Sequence, residues 1–121
     1  MNVLDIEQLK QLCIQWQEKL GILHWDIALR ICHSQDMPSP NVRGANQISL
    51  LTEQALISIL HPDDWPDTPF YLDMEVSLLH ELLHIPLEYI SQPDTSSLEF
   101  ILLEAFIERI ANLLVALSRN E

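Results

Sequence analysis

The chain has 121 residues, of which 48% are hydrophobic, so it is long enough to bury the core of one domain without disulfide bonds. Its 18 acidic and 6 basic residues give a formal net charge of −12, and a surface of this sign repels phosphate backbones and anionic lipid headgroups. We therefore expect no nucleic acid and no membrane among its partners.

The N-terminal stretch MNVLDIEQLKQL lacks the basic and apolar regions of a signal peptide. No apolar run approaches the ~20 residues that span a bilayer, and these two features predict a cytoplasmic protein. Cys13 and Cys32 do not form a CxxC pair. In a reducing cytosol we expect them to be small buried residues rather than metal ligands or a disulfide.

The first half of the chain is predicted to form one helix and a small layer of strands. Residues 5–20 place apolar side chains at helical spacing, with Asp5 as the N-cap and Gly21 as the stop. The stretch WDIALRIC alternates like a half-buried strand, and residues 45–60 hold one or two further strands, best seen in ALISIL. The loops SQDMPSPNVRG and HPDDWPDTPF separate these elements. ALISIL is also the candidate edge strand for an extended peptide, and the alternative is that it is an ordinary core strand.

The second half of the chain is predicted to form two helices. From Asp73 to about Tyr89 the apolar period is helical, and Pro86 predicts a kink or an end soon after His84. The stretch SQPDTSSLEF then interrupts the chain. Ser96 and Glu99 form a capping box for a last helix that runs to about residue 118.

Two histidines and a glutamate lie at the centre of the apolar helix EVSLLHELLHIPLEYI. His80 and His84 are one helical turn apart, so both imidazoles can bind a single metal ion from the same side. Glu81 lies about 100° round the helix, near enough to take a proton from a metal-bound water. This is the HExxH arrangement, in which zinc lowers the pKa of its water and the glutamate acts as general base. The alternative is a pair of core histidines that bond Glu75 or Glu88 without a metal.

A catalytic zinc needs a third protein ligand, and the last helix offers two candidates. Glu104 and Glu108 are one turn apart on a common face of LEFILLEAFIERIANLLVAL, which is otherwise apolar nearly all round. Two histidines and one glutamate are a known ligand set for a catalytic zinc with one open position. A stripe of solvated carboxylates is the alternative interpretation.

The HELLH motif, with Glu104 twenty residues after His84, resembles the gluzincin arrangement of the thermolysin-like metallopeptidases. In that family a glutamate on a second helix completes the zinc site, so the resemblance implies that Glu104 is the third ligand. It also implies that Glu108 hydrogen-bonds His80 and orients it. The short length and the stretches LGILHWDI and EAFIERIANLL are similar to small phage and prophage metallopeptidases and to minimal single-domain gluzincins.

We therefore expect residues 1–121 to form a single α+β, zincin-like domain. It would consist of an N-terminal helix, a small β-sheet, the HExxH helix and a C-terminal helix that carries the third ligand. The resemblance implies a zinc metallopeptidase that hydrolyses a peptide or protein substrate. Its site would comprise His80, His84 and Glu104 on zinc, with Glu81 as the base and Glu108 behind His80. The alternative is a zinc-binding interaction or regulatory protein that catalyses nothing.

The sequence leaves several properties of such an enzyme open. They are the substrate, the oligomeric state, the choice between an active and a latent protein, and the group that stabilises the oxyanion. The candidates for that last role are Tyr71, Tyr89 and His61.

Overall fold

The computed structural model describes residues 1–120 and has three helices and one three-stranded sheet, which confirms the α+β class. In chain order the elements are α1 (Ile6–Leu20), β1 (Asp26–Cys32), β2 (Gly44–Ser49), β3 (Gln54–Leu60), α2 (Met74–Glu88) and α3 (Leu98–Arg119). Within residues 1–120, no helix combines the length and the apolar character needed to cross a membrane.

Helix α1 begins and ends where the sequence predicts. The Gln8 backbone N–H donates to the Asp5 side chain at 2.8 Å, and the Asp5 backbone N–H donates to the Gln8 side chain at 2.9 Å, which completes a capping box. Gly21 ends the helix at a φ of 74°, in the left-handed region that glycine adopts without strain.

The sheet has the order β1–β3–β2, so its central strand is β3, the last of the three strands in the sequence. Strand β3 pairs in parallel with β1 and antiparallel with β2. The prediction that ALISIL is an edge strand is therefore wrong, because these residues lie in β3 and both of its edges are occupied. The two edges of the sheet are β1 and β2, and only they have backbone groups left to pair with an added strand.

Helices α1 and α2 contribute to one apolar core together with one face of the sheet. Alternate residues of β3, Ala55, Ile57 and Ile59, are buried in this core, as their spacing predicts. A smaller apolar cluster of Cys32, Met37 and Leu60 lies on the opposite face of the sheet. Both cysteines are free and buried, as expected.

The structure confirms one predicted helix boundary in the second half and corrects another. Helix α2 ends at Glu88, close to the predicted end at about Tyr89. It does not end directly after His84, since Pro86 removes one hydrogen bond only two residues before the end of the helix. The predicted capping box at Ser96 is wrong by one residue. Helix α3 is capped by Ser97, whose hydroxyl accepts from the backbone of Phe100 at 3.1 Å.

The C-terminal end of α3 is fastened to the start of α2 by Arg119. Its guanidinium lies 2.7 Å from Asp73 Oδ2 and 2.9 Å from Glu75 Oε1. The other oxygen of Glu75 accepts a hydrogen bond from the indole N–H of Trp16 on α1 at 2.8 Å. Because the end of α3 meets the start of α2, the two helices run antiparallel, and this places the middle of α3 beside the histidines.

We expect Arg119→Ala to lower the free energy of unfolding by about 1–3 kcal/mol at neutral pH, because Asp73 and Glu75 would stay buried without their cation. The loss is smaller than for a fully buried pair because the Arg119 side chain is 43% exposed. Lys10→Ala, which removes an exposed pair with Glu7, should change stability by less than about 0.5 kcal/mol. Urea denaturation of the three proteins measures the difference.

The same variant should change the acid sensitivity of the fold. Burial raises the pKa of Asp73, but hydrogen bonds from Arg119 and Asn2 outweigh it and hold this pKa below its ordinary value of 3.8. Such a carboxyl stabilises the fold above its unfolded pKa and loses that contribution as pH falls through the lower, folded pKa. The stability gap between wild type and Arg119→Ala should therefore narrow below about pH 4. A gap that is constant with pH would contradict this account.

Candidate metal centre

Helices α2 and α3 bring together the histidines and carboxylates that the sequence singled out. Nε2 of His80 lies 2.9 Å from Oε2 of Glu104, and Nε2 of His84 lies 2.7 Å from Oε1 of the same carboxylate. The other ring nitrogen of His80, Nδ1, lies 2.7 Å from Oε2 of Glu108. Each histidine side chain is only 12% exposed, whereas that of Glu104 is 34% exposed. The carboxylate of Glu104 thus bridges the two imidazoles at the rim of the core.

The local sequence explains why these polar groups share one place. The rest of α2 is buried in the core through Leu78, Leu79, Leu82 and Ile85, so the helix cannot turn its histidines towards solvent. Helix α3 contacts the core through a narrow stripe of Ile107, Ala111 and Val115. Glu104 and Glu108 flank that stripe on the side of the histidines.

The two histidines do not bond to Glu75 or Glu88, the partners that we expected for a metal-free pair of core histidines. Glu75 is engaged by Trp16 and Arg119. Both Nε2 atoms meet Glu104 instead, across a separation of at least twenty residues in the chain.

The donor set fits a metal ion that accepts nitrogen and oxygen ligands. His80, Glu81 and His84 offer ligand atoms that lie within 4.8 Å of one another. Glu108 occupies Nδ1 of His80, which leaves Nε2 as the atom for a metal, as in carboxylate–histidine–metal triads. Two imidazoles and one carboxylate suit zinc.

Two carboxylates compete for the third ligand position. Glu81 lies close to both histidines, but its Oε1 accepts a hydrogen bond from Asn46 at 2.8 Å and its side chain is directed towards β2. Glu104 has one oxygen on each Nε2 and no other hydrogen-bond partner within residues 1–120. Both carboxylates thus lie next to the histidines: Glu104 contacts both Nε2 atoms, and Glu81 belongs to the group of three residues whose ligand atoms lie close together.

The charges of the site are coupled. Burial by itself would lower the pKa of His80, but its hydrogen bonds with Glu104 and Glu108 raise that pKa to about 10. Burial favours the neutral form of Glu104, yet hydrogen bonds from both histidines lower its pKa to about 2. The raised pKa keeps the imidazole of His80 protonated at neutral pH, and a metal cation bound there would have to replace that proton.

Glu81 has a different environment from the other carboxylates. It is only 6% exposed, and burial raises its pKa against the opposing effects of His80 and of the Asn46 hydrogen bond. A carboxylate with a raised pKa accepts a proton more readily, which is the property a general base needs near neutral pH. The side chain lies against the backbone of Gly44 on β2.

An open groove of about 1060 Å³ runs past these residues. Its walls are the start of β2, the polar side of α2, the inner side of α3 and the segment that joins the two helices. Of the three candidate oxyanion donors, only Tyr71 lines the groove. Tyr89 packs edge-on against Trp25, and His61 stacks on His33.

Sequence reasoning missed the residues that hold Glu81. Asn46 and Gly44 lie in β2, 35 and 37 positions before Glu81, and no motif joins them to the HExxH segment. Gly44 is one of only two glycines in the chain, which was the one available signal that backbone approaches closely there.

Comparison with known protein families, with curated proteins and with solved structures gives no match for this chain. The chemistry of the site is therefore inferred from its own residues.

We expect Gly44→Ala to disturb Glu81 directly. A Cβ atom at this position would lie 2.9 Å from Oε2 of Glu81, closer than Cβ atoms approach other atoms, and 3.1 Å from Cγ, which is tighter than most Cβ contacts. Since Glu81 is buried, the strain should lower the free energy of unfolding by about 1–3 kcal/mol. In a Glu81→Ala background, which supplies the missing space, Gly44→Ala should lower the free energy of unfolding by less. The difference between its effects in the wild-type and Glu81→Ala backgrounds measures the interaction between the new Cβ atom and the Glu81 side chain. Equal effects in both backgrounds would contradict it.

Proposed function

We propose that this chain is a zinc-dependent peptidase with a minimal zincin-type site. The observation that supports it most directly is the convergence of both Nε2 atoms on the Glu104 carboxylate, with a buried carboxylate, Glu81, held beside them. In this proposal His80, His84 and Glu104 bind zinc, and Glu81 is the general base.

Zinc in such a site supplies a Lewis acid that acidifies water and polarises a carbonyl, with one coordination position open. The chain's own residues then have separate tasks. Glu81 accepts the proton of the attacking water, and its raised pKa suits that task. Asn46 fixes Oε1 of Glu81, so that the other oxygen is the one available to the proton. Glu108 holds Nδ1 of His80 and thereby keeps Nε2 directed towards the metal.

The groove suggests how a peptide would be bound. The first residues of β2 line it, and the outer edge of β2 has no partner strand among residues 1–120. An extended peptide can add to such an edge through its backbone, which would carry its carbonyl groups past the site. Strand β2 thus takes the role that we first expected of ALISIL. Tyr71, which lies on the wall of the groove, is the candidate donor to an oxyanion.

The proposal is tested by incubating the protein with a mixed peptide library and identifying new termini by mass spectrometry. We expect cleavage by the zinc-loaded protein and none after removal of zinc with a chelator, with recovery when zinc is restored. Protein that contains zinc in a 1:1 ratio and still cleaves nothing would favour the alternative, a zinc-binding interaction or regulatory protein.

A further inference from the structure

Helix α3 has an apolar surface that no part of residues 1–120 covers. At 100° per residue, eight side chains fall within an arc of about 100° on the side facing away from the core. Two of them are Glu99 and Ala116. We call the surface formed by the other six the outer face, and it comprises Leu98, Leu102, Phe106, Arg109, Leu113 and Leu117. The five apolar members are 52–69% exposed, although α3 is 22 residues long and its inner side is well packed.

The outer face is about as large as the largest apolar patch of a typical monomer. Five half-exposed leucine and phenylalanine side chains leave on the order of 500 Å² of apolar area, and patches of about 300–600 Å² are often functional. Two such faces in contact would bury on the order of 1,000 Å², at the lower limit of a specific protein–protein interface.

The order of residues along the outer face makes it complementary to itself. Leu98 and Leu117, Leu102 and Leu113, and Phe106 and Arg109 form three pairs that share one midpoint, between residues 107 and 108. If two copies of α3 lie antiparallel about a two-fold axis at that midpoint, each residue of one copy meets its pair in the other. A two-fold interface requires this kind of self-complementarity.

Arg109 supports the same arrangement. Within residues 1–120 it forms no ion pair, unlike Arg119 at the end of the same helix. In the antiparallel arrangement each Arg109 faces Phe106 of the second copy, where a guanidinium over an aromatic ring is favourable. In a parallel arrangement about the same face, Arg109 would instead meet Arg109 of the second copy.

We propose that a second copy of this chain covers the outer face, through an antiparallel pairing of the two α3 helices. Glu104 and Glu108 lie on the opposite side of α3, so both grooves stay open in the dimer. Because each copy has a net charge of −12, the dimer should be weak at low ionic strength and tighter as salt screens the repulsion. The inference does not depend on the proposed function.

Sedimentation of the wild-type chain at moderate salt should show a reversible dimer at concentrations on the order of 10–100 μM, in keeping with the modest interface. Phe106→Glu should shift the protein to the monomer, and Leu51→Glu should not, since Leu51 is 95% exposed in the turn between β2 and β3. Far-UV circular dichroism verifies that both variants fold. A monomeric wild type, or a dimer that persists in Phe106→Glu, would overturn the proposal.

Engineered cysteines test the orientation. In Leu102→Cys/Leu113→Cys the two sulfurs of one helix are about 16 Å apart, too far for an internal disulfide. Mild oxidation should therefore join two chains of this double variant, whereas neither single variant should form a covalent dimer. Cross-linking by the single variants would indicate a parallel pairing, and no cross-linking in any variant would exclude contact of the outer faces. The wild type, with Cys13 and Cys32 buried, is the control.

Discussion

The wild-type chain reconstituted with zinc should retain one zinc ion per chain, and His80→Ala and Glu104→Ala should each lose it. Removing a group that only hydrogen-bonds a ligand weakens metal affinity about 10–100-fold, so removing a ligand itself should weaken it by at least ~100-fold. Glu108→Gln changes the hydrogen-bond partner of His80 but leaves the three proposed ligands in place. Its affinity for zinc should therefore fall by only about 10–100-fold. Elemental analysis and competition with a fluorescent chelator provide the two readouts.

A carboxylate that lines the groove without touching the histidines supplies the control. Glu88 lies on α2, one turn after His84, and Glu88→Ala should keep its zinc. If Glu104→Ala keeps its zinc while Glu81→Ala loses it, Glu81 is the third ligand and the assignment of roles is reversed. If the wild type binds no zinc at all, the two histidines are core residues and the enzyme proposal falls.

Glu81→Gln should separate metal binding from catalysis. The amide has nearly the shape of the carboxylate, and its oxygen can still accept the hydrogen bond from Asn46, so we expect the variant to fold and to retain zinc. It cannot accept a proton, and loss of a general base lowers rates about 10²–10⁴-fold. The rate is measured on any peptide that the wild type cleaves.

Glu88→Gln is again the matched control, because it changes a carboxylate of the same helix to an amide outside the contacts of the site. It should keep at least half of the wild-type rate. Full activity in Glu81→Gln would falsify the assigned role of the base, whereas an inactive variant that has also lost zinc would show that Glu81 acts through the metal.

Much of the local structure is predictable from short patterns. The helical period, the cap at Asp5 and the stop at Gly21 gave α1 correctly, and alternation gave β1 and β3. One error, the position of the cap of α3, is equally local. A chain with serines at both 96 and 97 can cap its helix at either, and the structure selects Ser97 because Ser96 donates to Asp94 in the preceding turn.

The candidate site was predictable in part. The spacing of His80 and His84 and the apolar surroundings of Glu104 depend on sequence alone, and the structure brings these three residues together. Their roles remain proposals. The exposed outer face of α3 was not predicted. A helix that is apolar nearly all round has the same sequence pattern whether or not other elements bury each of its sides.

The sequence by itself determined which segments form helices and strands and where the candidate metal-binding residues lie. These properties depend on capping, side-chain spacing and periodicity, which act over a few residues. Only the tertiary structure decided that β3 is central, that Asn46 holds Glu81 across 35 positions, and that Trp16 meets Glu75 across 59. Such contacts arise from the packing of whole elements against one another, and no short pattern records which elements become neighbours.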